Sequence, residues 1–170
     1  MGYISFSYAL VGSELEALLR EKETIADQGP ELNVQRKVAE GRSRYGALSG
    51  TVVMIMPSLR SGCVELFFCG GGRRQAARIH VAPARPPLAT LRRICAWYGT
   101  SGGRLHKTRA VRLWGPDGNE ICCRFFQAHR ARLHWCELPP GAPDRPDLDK
   151  LLSVVSHARA AGFDPAEVRF

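Results

Sequence analysis

The chain has no apolar run near the roughly eighteen residues that a helical membrane span needs, so no membrane partner is expected. Its opening, MGYISFSYALVGSE, lacks the basic n-region of a secretory signal peptide. Position 6 is Phe where myristoylation of Gly2 asks for Ser or Thr. A cytoplasmic location is expected from these two features. Nucleotide-binding glycine motifs are also missing. Gly70-Gly71-Gly72-Arg73-Arg74 has glycines and cations, but it lacks the Lys-Ser/Thr ending and the strand-to-helix setting of a phosphate loop. A hairpin turn is the better reading, and no cofactor is expected.

Cysteine is present, with six residues, but not in useful spacings. Cys122, Cys123, His129, His134 and Cys136 lie within fifteen residues and match no standard zinc pairing. Cys95 or Cys122 with His80, His106 or His134 as base has no local signature of a thiol nucleophile. The expectation is buried, reduced thiols, no metal and no catalytic residue.

Acidic residues are nearly absent from the middle of the chain. The formal net charge is +8, yet residues 70–136 hold thirteen Lys/Arg against two Asp/Glu, a net +11. Residues 1–69 come to −1 and 137–170 to −2. Such asymmetry speaks about partners rather than fold. At 45% apolar and 24% charged, 170 residues read as one globular domain able to bury a real core.

The clearest stretch is Arg109–Phe126, RAVRLWGPDGNEICCRFF. Two apolar runs flank Pro116-Asp117-Gly118, residues that tight turns favour, which predicts a hairpin. With Gly118 left-handed in a three-residue loop, Leu113 faces Ile121 and Val111 faces Cys123. One face then collects Val111, Leu113, Ile121, Cys123 and Phe125 as core. The other carries Arg112, Trp114, Glu120, Cys122, Arg124 and Phe126 outward. Burial of one face selects this register over the pairing shifted by one residue.

Elsewhere, Tyr3–Val11 alternates as a strand. Ser13-Glu14-Leu15-Glu16 is a capping box opening a helix on Leu15, Leu18, Leu19 and Ile25, which Gly29-Pro30 stops. Glu31–Glu40 reads as a second helix. Thr51–Met56 is a buried strand, and Cys63–Cys69 and Ala76–Ala82 form a further hairpin. In that hairpin Phe67, Arg78 and His80 point outward. A helix follows over Leu88–Tyr98. Arg132–Leu138 is a strand, and Pro146–Ala161 is a helix on Leu148, Leu151, Leu152 and Val155, closed by Gly162 with Phe163 beside it.

The expected order is β-α-α-βββ-α-βββ-α, an α+β fold with a largely antiparallel sheet. It forms a single domain over 1–170, with a seam between two βββα-like halves near 99–105. The opening order resembles that of acetyltransferases in element order only. Val81–Leu91, VAPARPPLATL, has no glycine before the helix, and its prolines remove amide donors that would hold a pyrophosphate, so no activity follows.

On this reading, cations and flat side chains share one surface. Arg78, Arg112, Trp114, Arg124 and Arg132 lie on outward strand positions. Arg73, Arg74, Arg92, Arg93, Arg104, Lys107 and Arg109 lie in adjoining loops and a helix. Cations neutralise phosphates and aromatic faces stack on bases, so the expected partner is single-stranded or irregular nucleic acid. The alternative is a non-catalytic protein-interaction module (adaptor, chaperone, inhibitor or immunity type) for an acidic partner.

Overall fold

A computed structural model describes residues 9–28, 48, 50–70, 75–83, 88–99, 111–139 and 144–163. Helix α1 spans Glu14–Gln28. Ser13 caps it as its sequence demands, the hydroxyl accepting from the Glu16 amide at 3.3 Å. Glu16 reaches back one residue further than a standard box, its carboxylate accepting from the Gly12 amide at 3.1 Å. Strands β1 (Thr51–Pro57), β2 (Val64–Gly70) and β3 (Ala76–Val81) follow within a residue of their expected limits. Helix α2 covers Leu88–Gly99.

The three strands form an antiparallel meander, with Val53 opposite Phe68 and Leu66 opposite Ile79. Strand β4, Val111–Trp114, adds antiparallel to β3, and β5, His134–Leu138, adds antiparallel to β1. The sheet order is β4-β3-β2-β1-β5, so strands from both expected halves join one sheet. Helix α4, Arg145–Ala161, is capped by reciprocal bonds between Asp144 and Asp147 at 2.9 and 3.1 Å. Gly162 ends it at φ +77°, and Phe163 packs on the core beside it.

Both faces of the sheet are covered. Strand residues alternate sides, so Val53, Leu66, Phe68 and Ile79 meet Leu91 and Ile94 of α2 and Leu148, Leu151 and Val155 of α4. Val52, Met54, Phe67 and Cys69 meet α1 through Leu15 and Leu19 on the opposite side. β1 and β2 are buried at every position, which explains the unbroken apolar run TVVMIM. Each large side chain so buried contributes about 1.5–3 kcal/mol. Leu152 is only partly buried against this core, while Leu151 is fully enclosed.

The expected hairpin at 109–126 is not formed. Its first arm is β4, but Pro116–His129 is a helix, α3. Pro116 lies in the first helical turn, where it needs no amide donor, and Asp117 complements the amino-terminal dipole. The apolar residues of ICCRFF come in pairs, and Cys122, Phe125 and Phe126 fall on one buried helical face. Gly118 is helical rather than left-handed. The second expected trio of strands is therefore β-α-β. The strand expected over 3–11 lies outside the described residues except for 9–11, which are not strand. The helix expected over 31–40 lies wholly outside them. Among the described residues, no helix is long and apolar enough to cross a membrane.

Candidate functional site

The face between the sheet and α1–α3 holds most of the buried charge. Glu65 alternates onto this face from β2 and is 5% exposed. Its Oε1 accepts from Ser58 Oγ at 3.0 Å and meets His80 Nδ1 at 2.8 Å. Its Oε2 stands 3.6 Å from Arg78 Nε. Ser58 bonds the same carboxylate oxygen as His80, so the three do not make a nucleophile–base relay. Glu16, 3% exposed, receives Arg78 at 2.5 Å and Arg20 at 2.7 Å. Burial would push its carboxyl up, but the Gly12 amide and the Arg78 and Arg20 guanidinium groups outweigh that and hold it below the ordinary value. The cluster closes on itself: two buried carboxylates, with Arg78 between them.

Trp114 is 4% exposed beneath α1 and α3, contrary to its expected place on an open face. It stacks on Phe67 at 5.9 Å, and the Arg112 and Arg78 guanidinium groups lie 5.5 and 6.0 Å from the ring centre. Phe67 and Phe126, also expected outward, are buried with it. Alternation along β4 sets Arg112 and Trp114 on the side opposite Val111 and Leu113, while the expected pairing of Leu113 with Ile121 and Val111 with Cys123 is absent. Alternation does not provide the helix that covers them.

The remaining expected contacts separate. Arg112 pairs with Glu23 of α1, and Arg124 pairs with Glu120 one turn earlier on α3. Arg92 and Arg93 are exposed on α2, across the sheet from Arg112 and Arg124. Arg132 is exposed after α3, its guanidinium against His129 Nδ1 at 2.8 Å. Arg73, Arg74, Arg104, Lys107 and Arg109 lie outside the described residues. The described cations thus do not converge on one open sheet face.

The thiols weighed as nucleophiles are enclosed. Burial, helped by Cys136 and Asp147, pushes Cys95 up to about 12. Burial likewise pushes Cys122 far above the ordinary thiol range. Neither is a thiolate at neutral pH. The five Cys/His residues weighed as zinc ligands are split by the sheet, with Cys122 on the α1–α3 side and Cys136 on the α2–α4 side. Among the described residues, no three metal-binding side chains converge.

Among the described residues a groove of about 460 Å³ opens between α1 and α3, which the sequence did not disclose. Leu18, Ile25, Ile121, Phe125 and Ala128 give it apolar walls. Glu14 and Glu21 edge it from α1, and Arg124 and His129 from α3. Leu18 is 38% exposed, although its helical spacing read as core. The signal for the groove is a second amphipathic helix facing α1, and Pro116-Asp117-Gly118 hides it by predicting a turn and a strand in place of α3. Scans against family models, curated proteins and solved structures each gave no match to this chain.

Proposed function

We propose that this protein is a non-catalytic protein-interaction module that takes an amphipathic segment of an acidic partner into the α1–α3 groove. The observation that carries this reading is the open apolar groove beside a sheet whose basic–aromatic face is internally occupied. The volume lies in the range of specific binding clefts, and a helix or extended segment presenting apolar residues at regular spacing suits such walls. The positive surplus of the chain raises its encounter rate with an acidic partner without fixing affinity or the place of docking. Free thiols suit a reducing compartment such as the cytoplasm.

A second reading, nucleic-acid binding, is favoured by one observation, the net +11 of residues 70–136 with Arg92, Arg93 and Arg132 exposed. It would run through phosphate contacts without stacking on Trp114.

One experiment separates the two. Acidic amphipathic peptides and random single-stranded oligonucleotides are titrated at two salt concentrations, against wild type and Leu18→Glu. On the groove reading, peptides shift the NMR signals of Leu18, Ile25 and Ile121 and lose affinity in the variant. Oligonucleotide binding with a steep salt slope, unchanged by Leu18→Glu and with no peptide response, overturns it.

A further inference from the structure

We propose that Cys123 and Cys69 are a reactive dithiol, which a hydroperoxide oxidises to a disulfide joining α3 to β2. The pair was not legible in the chain, because 53 residues separate the two cysteines.

Three features place the thiols. Cys69, near the end of β2, is fully buried on the α1–α3 side of the sheet. Cys123 lies on α3, packs against that same cluster and is only partly buried, so a small oxidant reaches it. Both thiols pack in the one cluster between the sheet and α1–α3. Asn119, one helical turn before Cys123, accepts from the Gly70 amide at 3.1 Å. That bond holds this stripe of α3 against the end of β2, the residue next to Cys69.

The chemistry of the pair is asymmetric. Cys123 is the more exposed of the two, and Cys69 is fully enclosed. The neighbouring Cys69 thiol holds Cys123 below the ordinary thiol range, helped by the Gly70 amide and opposed by burial and Glu120, while the Cys123 thiol and burial push Cys69 up. Accessibility and charge thus agree that Cys123 is the nucleophile and Cys69 the thiol that resolves it. The Cys123 thiolate attacks one peroxide oxygen, the O–O bond breaks, and hydroxide or alkoxide leaves, giving Cys123–S–OH. Cys69 sulfur then displaces that hydroxyl. Its proton leaves with the hydroxyl as water, and an S–S bond has formed. Two thiol sulfurs are oxidised and one peroxide is reduced.

Cys122, though adjacent, is a poor resolving partner. Neighbouring Cα atoms stand about 3.8 Å apart, below the roughly 4.4–6.8 Å that a disulfide spans. Its own side chain is turned into the core.

The test is to treat the native full chain with hydrogen peroxide at neutral pH, block remaining thiols and map peptides by mass spectrometry. The expected product has lost two hydrogens, links segment 61–73 to 113–124, and reverts with dithiothreitol. Cys122→Ala keeps the link and Cys123→Ser abolishes it. Cys69→Ala leaves Cys123 as a sulfenic acid that dimedone traps. Should Cys69→Ala not fold, the wild-type and Cys122→Ala maps decide. A link that persists in Cys123→Ser overturns the proposal. So does a wild-type chain that stays reduced in peroxide sufficient to oxidise a free cysteine peptide.

Discussion

Gly118 sits directly over Trp114: a Cβ at position 118 would lie 2.3 Å from the Trp114 Cβ. The chain leaves β4 and enters α3 within a few residues, so the first turn of the helix rests on the last side chain of the strand. Only a residue without a side chain allows that approach. In an open helix, Gly→Ala stabilises by about 1 kcal/mol. Here Gly118→Ala is expected to destabilise by roughly 1–3 kcal/mol through overpacking, read as a lower urea midpoint at unchanged slope.

Trp114 acts through packing. Trp114→Ala removes a buried indole from between Phe67 and α3 and is expected to cost about 3–5 kcal/mol in thermal or denaturant melts. Trp114→Phe keeps most of the burial and should cost distinctly less. A near-neutral Trp114→Ala would place the ring outside the core.

Glu16 links α1 to the sheet through Arg78. Its folded carboxyl titrates below its unfolded value of about 4.5, so the ionised form favours the folded state. That stability is complete above the ordinary glutamate range. It is lost as pH falls through 4.5 toward the lower folded value. Glu16→Gln is expected to lower stability at pH 7 and to flatten the acid limb of a stability–pH curve. An acid limb of unchanged steepness in Glu16→Gln would count against the Arg78 pairing.

Helix α4 offers an internal comparison. Leu151 is fully enclosed and Leu152 is partly so. Leu151→Ala is expected to cost about 2–5 kcal/mol, and Leu152→Ala less, in paired chemical melts. Equal losses would mean that the helix is rotated from the orientation described.

Much of the fold was legible because local chemistry and periodicity agreed. The Ser13 cap, the TVVMIM run, the alternation of 63–69 and 76–82, and the Leu148–Leu151–Val155 stripe each point to one structure at short range. At Pro116-Asp117-Gly118 local chemistry was ambiguous, since the same three residues serve a turn or a first helical turn. The paired spacing of Cys122, Phe125 and Phe126 carried the helical period, but the preceding turn residues drew the reading to a strand.

The amino-acid sequence by itself determined the α+β class, the central antiparallel meander, the core stripes and the side of the sheet that Arg112 and Trp114 occupy. These follow from propensity, capping and a side-chain period of two or 3.6, which act over a few residues. Only the tertiary structure decided that α1 and α3 cover that side. It also decided that Glu16 and Glu23 of α1 neutralise Arg78 and Arg112 of the sheet, that a groove opens between the helices, and that Cys69 and Cys123 share one cluster. Each joins elements packed in space. Burial and Coulomb energy depend on distance in the fold, and separation along the chain does not encode it.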